Sequence, residues 1–163
     1  MRIVVVGDTH GKVDSIYREV ASIPAIDLLI HTGDHYQDGL FLARELKVEG
    51  MVVVGNCDRG VDGPKILIKE VLGHKILVTH GHLQNVKTTM NNLYFQAKQS
   101  GCNMVFFGHT HVPYLEKVDN IWFMNPGSPT YPRAKLSTYG LVEVEGKEIG
   151  CRIIEIASDS RPT

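Results

Sequence analysis

The chain has 163 residues, of which 43% are hydrophobic and 21% are charged, and its formal net charge is −1. A chain of this length fits one domain and can bury a core of its own without crosslinks. The near-zero charge provides no basic surface for nucleic acid, and no apolar run approaches the roughly 18 residues of a membrane span, so neither partner is indicated.

The first third of the chain alternates between strand and helix patterns. The β-branched run at 3–6 predicts a buried strand, and apolar residues at helical spacing over 13–20 predict an amphipathic helix. A second strand is predicted at 27–30, a short helix at 40–46 and a third strand at 51–54. This β-α-β-α-β order predicts a parallel sheet covered by helices.

The rest of the chain is richer in strand patterns. Apolar segments at 66–71 and 75–79 flank Gly73 as in a β-hairpin, a helix is predicted over 90–97, and a short strand over 104–107. Four further strand-like segments are separated by turn residues, at 114–118, 121–124, 139–144 and 152–156. The second half is therefore expected to contain more antiparallel pairs than the first.

The domain boundaries and the cysteines are interpreted together. We predict one α/β domain over 1–157 and a frayed tail at 158–163, because no linker or low-complexity segment divides the chain. The three cysteines, Cys57, Cys102 and Cys151, are too few and too widely spaced for a disulfide framework. They are typical of a reducing compartment, and we expect a cytoplasmic protein.

Directly after five of the predicted strands, the chain has polar side chains of the types that bind metals. The five segments are Asp8-Thr9-His10, Gly33-Asp34, Gly55-Asn56-Cys57-Asp58, His80-Gly81-His82 and Gly108-His109-Thr110-His111. Any one of them alone reads as a solvated turn. In open α/β sheets, however, ligands bind in the crevice at the carboxyl ends of the strands, so five such ends can converge on one site.

The series D-x-H, G-D, G-N-x-D, H-G-H and G-H-x-H resembles the calcineurin-like metallophosphoesterase superfamily. The chain has no cap or large insertion, and in this it is similar to the small bacterial and archaeal phosphodiesterases of that superfamily. The resemblance implies an α/β fold in which a two-sheet β-sandwich is flanked by helices on both faces. It also implies a dinuclear metal site.

The resemblance implies a ligand set for each of two ions. The first ion would be held by Asp8, His10, Asp34 and His111. The second would be held by Asp34, Asn56, His80 and His109. In this scheme Asp34 bridges the two ions, and a hydroxide shared between them attacks phosphorus.

The chemistry of these side chains restricts the choice of metal. Carboxylates, imidazoles and an amide, without a thiolate, favour borderline to hard divalent cations. We expect Mn²⁺, with Fe²⁺, Ni²⁺ and Zn²⁺ as alternatives. The resemblance implies a small phosphodiester as the substrate. It is also compatible with a homodimer of this chain.

One position departs from the pattern of the superfamily, because many members carry histidine where this chain has Cys57. A thiol is a poor proton donor to a leaving alkoxide, so the exchange argues mildly against phosphomonoesters. His82 lies two residues beyond His80 and is a candidate to replace the missing group. Asp58 either orients a ligand histidine or is a turn carboxylate. The catalytic candidates are Asn56, Asp58 and His82.

The sequence is compatible with three functions. The first is phosphodiester hydrolysis, and the second is a protein-binding scaffold, because a retromer subunit of eukaryotes is similar to this superfamily and has a degraded metal site. The third is phosphomonoester hydrolysis. All seven ligand types are present here, which favours an enzyme over a scaffold, since clustered polar groups without metal would destabilise the fold.

Two histidines and one segment outside the motifs are interpreted as structural or exposed. His31 stands at a strand end, and we expect it to bind a backbone group. His74 is placed in the hairpin turn and is expected to be exposed. The segment 125–129 is expected to be a structural turn rather than a phosphate cradle, because its prolines lack amide donors.

Overall fold

The computed structural model describes residues 1–157, which form two five-stranded sheets and three helices. In chain order the elements are β1 (Arg2–Val6), α1 (Asp14–Ala21), β2 (Leu28–His31), α2 (Tyr36–Leu46), β3 (Glu49–Val52), β4 (Ile66–Val71), β5 (His74–Thr79), α3 (Asn91–Ser100), β6 (Met104–Phe106), β7 (Tyr114–Val118), β8 (Ile121–Asn125), β9 (Thr138–Glu145) and β10 (Glu148–Glu155). The predicted tail at 158–163 lies outside the described residues. Within residues 1–157, no helix is both long and apolar enough to cross a membrane.

The first sheet has the strand order β10-β9-β1-β2-β3. Its strands β1, β2 and β3 are parallel, as predicted, and β9 and β10 extend the sheet as an antiparallel pair beside β1. The second sheet has the order β4-β5-β6-β8-β7, with β5, β6 and β8 parallel between two antiparallel edge strands. All five strands predicted to carry polar residues at their ends belong to the parallel parts of these sheets.

The two faces of each sheet pack against different partners, because successive side chains of a strand point to opposite faces. In β1, Ile3 and Val5 face the second sheet and join a core shared with Phe106. Val4 and Val6 face the opposite way and pack with helices α1 and α2.

The outer face of the second sheet is covered by α3, whose Leu93 and Ala97 pack against Val105 and Phe123. The layers therefore run helix, sheet, sheet, helix. The prediction of a two-sheet sandwich flanked by helices is confirmed.

Some boundaries and one residue environment were predicted wrongly. Strand β10 begins at Glu148 rather than at 152, because its pairing with β9 runs back to the turn. His74 is buried, not exposed: its Nε2 lies 2.8 Å from the Gly146 carbonyl, and the Asn103 amide donates to its Nδ1 at 2.9 Å. The covering segment is distant in sequence, so the local hairpin pattern gave no sign of it.

Candidate metal centre

Five loops of the two sheets meet at one edge of the sandwich. Three follow β1, β2 and β3 of the first sheet, and two follow β5 and β6 of the second sheet. They carry the seven residues that the resemblance implies as metal ligands, namely Asp8, His10, Asp34, Asn56, His80, His109 and His111. The contacts between these side chains divide them into two groups.

The first ligand group consists of Asp8, His10, Asp34 and His111. Each of them offers a carboxylate oxygen or a ring nitrogen, and the four atoms all lie within 4.8 Å of one another. The Nε2 atoms of His10 and His111 are 3.3 Å apart, and Asp8 Oδ1 lies 3.4 Å from His111 Nε2. The spacing of these atoms is suited to a single cation held between them.

The second ligand group consists of Asn56, His80 and His109. His80 Nε2 lies 3.1 Å from Asn56 Oδ1, and the His80 and His109 rings have centroids 5.0 Å apart. His80 is fully buried, whereas Asn56 is exposed. This group is more open to solvent than the first.

Asp34 lies between the two groups. Its Oδ2 is 3.9 Å from His10 Nε2 of the first group, and its Oδ1 is 3.4 Å from His80 Nε2 of the second. The Cys57 amide donates to the same Oδ1 at 2.9 Å and so fixes the carboxylate plane. The two oxygens of one side chain therefore face two different groups of ligands.

This arrangement agrees with the comparison of the whole chain with known families. The sequence profile of the calcineurin-like phosphoesterase superfamily domain matches residues 1–147, which include all five loops. The chain belongs to the calcineurin-like phosphoesterase superfamily.

Relatives in the superfamily are similar to this chain over nearly their whole length. The probable metallophosphoesterase YsnB of Bacillus subtilis is 32% identical over 161 residues, which are 98% of this chain and 94% of the relative. The phosphodiesterase MJ0936 of Methanocaldococcus jannaschii is 26% identical over 168 residues, which are 91% of this chain and 96% of the relative.

Two solved structures have the same fold. A Streptococcus pneumoniae protein, a predicted phosphoesterase by its name, superposes with a TM-score of 0.80 at 30% identity over 94% of this chain and 88% of that one. Vacuolar Protein Sorting 29 of Cryptosporidium parvum superposes with a TM-score of 0.84 over 98% of this chain and 93% of that one. At 17% identity the second similarity shows the fold alone.

Membership of the calcineurin-like superfamily implies divalent metal ions, and the histidine environments fit them. His80 Nδ1 donates to the Thr32 carbonyl at 2.9 Å, and His111 Nδ1 donates to the Tyr131 carbonyl at 2.8 Å. Burial lowers the pKa of His80 to about 4 and also lowers the pKa of His111, so both rings are neutral near pH 7. The Nε2 lone pairs of both rings therefore point into the centre, as metal ligands require.

Unsatisfied acceptors also fit a cation. The neutral His80 ring turns its Nε2 lone pair toward Asn56 Oδ1, another acceptor, at only 3.1 Å. Asp8 Oδ1 is buried and has no hydrogen-bond partner among residues 1–157. Burial, and then the charge of Asp34, raise the pKa of Asp8 well above its usual value. A bound cation would relieve each of these unfavourable arrangements.

The backbone of the ligand loops is strained. Five of the seven ligands have φ between 49° and 71°, the left-handed region that side chains rarely adopt: Asp8, His10, Asp34, His109 and His111. Each such residue costs about 1–3 kcal/mol, and strain of this kind is concentrated at functional sites. Gly55 allows two loops to approach closely, since a Cβ atom there would lie 2.1 Å from Asp34 Oδ1.

Asp58 contacts backbone rather than a ligand histidine. Its carboxylate accepts hydrogen bonds from the amides of His35 at 3.1 Å, Tyr36 at 2.7 Å and Gly55 at 2.7 Å. These contacts favour the turn-carboxylate interpretation. Asp58 ties the loop after β2, which carries Asp34, to the loop after β3.

Two buried supports were only partly foreseen in the sequence. His31 accepts the Gly33 amide at Nδ1 (3.2 Å) and contacts Thr9 Oγ1 through Nε2 (3.0 Å), which confirms its structural role. Ser128 Oγ donates to the Asp8 carbonyl at 2.8 Å, and Asn125 Nδ2 donates to the Gly108 carbonyl at 2.9 Å. The segment 125–129 is thus a structural turn, as predicted, but its contacts with the ligand loops were not.

Cys57 and His82 stand at the side of the second ligand group. Cys57 is exposed, and residual desolvation together with the neighbouring Asp34 raises its pKa to about 11, so its thiol stays protonated at neutral pH. The His82 ring lies 5.3 Å from the His80 ring and 6.1 Å from the His109 ring. Its Nδ1 is buried and has no hydrogen-bond partner in the described part of the chain.

Proposed function

We propose that the protein is a metal-dependent phosphodiesterase with two divalent ions, one in each ligand group, bridged by Asp34. The observation that carries the proposal is the position of the Asp34 carboxylate, whose oxygens face His10 in one group and His80 in the other. The phosphodiesterase name of the Methanocaldococcus relative supports the choice of reaction. We expect Mn²⁺, with Fe²⁺, Ni²⁺ and Zn²⁺ as alternatives.

The residues of the chain prepare the centre for this chemistry. When bound, two ions of this kind supply a water activated near neutral pH and neutralise charge on the phosphate oxygens. His80 and His111 are held by backbone carbonyls with their Nε2 atoms facing inward. Asp58 acts as a positioning residue, because it connects two ligand loops through their backbone amides.

Asn56 and His82 are proposed to contact the substrate. The Asn56 side chain is exposed, and among residues 1–157 its Nδ2 makes only a long contact of 3.5 Å with Cys57 Sγ. This amide group can therefore donate to a phosphate oxygen. His82 has an unsatisfied ring nitrogen beside the second ligand group. We assign it the contact with the leaving oxygen that the Cys57 thiol is chemically unsuited to make.

The proposed preference for diesters follows from Cys57. A thiol with a pKa of about 11 is a weak acid at neutral pH and a poor partner for anionic oxygen. A phosphomonoester presents one more negative charge than a diester, so it depends more on a cationic group at this place. We therefore expect phosphomonoesters to be the poorer substrates.

The proposal is tested with protein stripped of metal by a chelator. Hydrolysis of bis(p-nitrophenyl) phosphate and of p-nitrophenyl phosphate is measured with and without added Mn²⁺. We expect metal-dependent cleavage, with the diester faster than the monoester. A faster monoester would favour a phosphomonoesterase, and no turnover with Mn²⁺, Fe²⁺, Ni²⁺ or Zn²⁺ would favour a protein-binding scaffold.

A further inference from the structure

A pocket of about 460 Å³ opens beside the metal centre. Its lining is mostly apolar, with two basic side chains, and the residues that matter here are Lys87, Met90, Phe107, Val112, Tyr114 and Arg133. We call it the ester pocket. Its volume lies within the roughly 300–1,000 Å³ range of small-molecule sites.

The apolar wall of the ester pocket is part of the folded core. Phe107 is almost fully buried and belongs to the cluster beneath α3, against which Met90 and Tyr114 also pack. The rings of Phe107 and Tyr114 meet edge to face with centroids 5.9 Å apart. Because these side chains are fixed by core packing, the pocket exists before any ligand binds.

The ester pocket and the metal centre share one loop. Thr110 lines the pocket and stands between His109 and His111, and Val112 follows directly. A molecule whose phosphorus lay at the metal centre would therefore have a substituent within reach of the pocket.

The two basic residues are available to an anion. Lys87 and Arg133 are exposed, and residues 1–157 provide no ion-pair partner for either. The Arg133 amide also donates to the His111 carbonyl at 3.1 Å, which places this residue at the edge of the centre. Cations in this position attract a phosphate anion, and a guanidinium also stacks on aromatic rings.

We propose that the ester pocket binds one ester group of the substrate, and that this group is aromatic. This inference rests on the proposed phosphodiesterase function and names the substrate class of the same centre. Edge-to-face aromatic walls and a neighbouring guanidinium favour a planar ring over a flexible alkyl chain.

The test uses phosphinates, which copy the charge of a diester but contain no ester bond to hydrolyse. The affinities of the Mn²⁺-loaded protein for diphenylphosphinate, dibutylphosphinate and dimethylphosphinate are measured by calorimetry. We expect diphenylphosphinate to bind about tenfold more tightly than either of the others, because only its ring fills the pocket. Equal affinity for the phenyl and methyl compounds, or for the phenyl and butyl compounds, would overturn the proposal.

Matched variants on one helix region locate the effect. Met90→Trp fills the pocket and should reduce the phenyl-to-methyl affinity ratio to about one. Phe95→Trp adds an indole at an exposed position of α3 outside the pocket and should leave the ratio unchanged. A ratio that survives in Met90→Trp, with the fold intact by thermal melting, would contradict the assignment of the pocket.

A charge variant distinguishes the electrostatic attraction of the anion from the preference for a phenyl group. Lys87→Met should weaken binding of the phenyl and methyl compounds by the same factor, whereas Lys147→Met, in the turn between β9 and β10, should change neither. A phenyl preference without turnover of any chromogenic ester would retain the pocket and remove the proposed function. Turnover without a phenyl preference would retain the proposed function and overturn the assignment of the ester pocket.

Discussion

The two ligand groups of the metal centre differ in charge and in exposure. The first contains the carboxylates of Asp8 and Asp34, and both are almost fully buried. The second consists of neutral ligands, the exposed Asn56 amide and the imidazoles of His80 and His109, and it faces the Asp34 carboxylate of the first group.

The two groups are therefore unlike each other, although the Asp34 carboxylate lies between them. Two carboxylates bind a hard divalent cation more strongly than one, so the first group should fill before the second. Asn56 is the exposed residue of the second group, so we expect substrate to enter on that side. In the proposed two-ion centre, the first group would hold the ion that stabilises the fold, and the second would complete the centre for turnover.

The largest expected effect comes from removing what the two groups share. Asp34→Asn keeps the size of the side chain but removes the bridging charge, so diester turnover should fall by about 10³-fold or more. Glu148→Gln makes the same chemical change at an exposed position of β10 and should leave turnover unchanged. Wild-type rates in Asp34→Asn would contradict the bridging role.

The next effect separates the two groups. Asp8→Asn should abolish tight metal binding at the first group and lower turnover by about 10²-fold or more. The same change should stabilise the metal-free protein, by about 1–3 kcal/mol, because Asp8 is a buried carboxylate with a strongly raised pKa. Chemical denaturation with and without Mn²⁺ measures the lost stabilisation by metal and the gained stability of the metal-free protein. A metal-free variant that is less stable than the wild type would contradict the prediction.

A smaller effect tests the side on which substrate enters. His82→Ala should reduce turnover of diesters with alkyl leaving groups about tenfold more than turnover of nitrophenyl diesters, because nitrophenolate needs little help to leave. His82→Gln, which keeps a hydrogen-bond donor, should recover part of the loss. Equal losses on both kinds of ester would remove His82 from the mechanism.

The smallest effect concerns His31, which contacts the loops that carry Asp8 and Asp34. Burial lowers the pKa of His31 to about 4, against about 6.5 in the unfolded chain. Between these two pH values the unfolded state therefore binds a proton at His31 that the folded state does not bind. The stability of metal-free protein should therefore fall as pH drops from about 6.5 to about 4. His31→Gln should show a flatter pH dependence by more than about 1 kcal/mol, measured by urea denaturation at pH 7 and pH 4.5. An identical pH slope in the variant would show that His31 does not contribute.

The sequence was most informative where function and periodicity are local. The β-branched run at 3–6 predicted strand β1, and the polar residues that follow it predicted a ligand loop at the end of that strand. Both patterns involve neighbouring residues and are therefore visible in the sequence. The two-sheet fold came from the resemblance, and the layers confirm it.

Contacts between distant segments could not be predicted from the sequence. Ser128 supports Asp8 across 120 residues, and the turn at Gly146 buries His74 across 72 residues. Neither contact leaves a local pattern, since both arise from how the sheets stack. The ester pocket is of the same kind, because Met90 and Arg133 meet only in the folded chain.

Equilibrium dialysis of the chelator-stripped protein against Mn²⁺ measures whether two ions share Asp34. The account predicts two ions per chain, the first bound more tightly than the second, and at most one per chain in Asp34→Asn. A wild-type chain that binds a single Mn²⁺ at saturation, or an Asp34→Asn variant that still binds two with unchanged affinity, would contradict it.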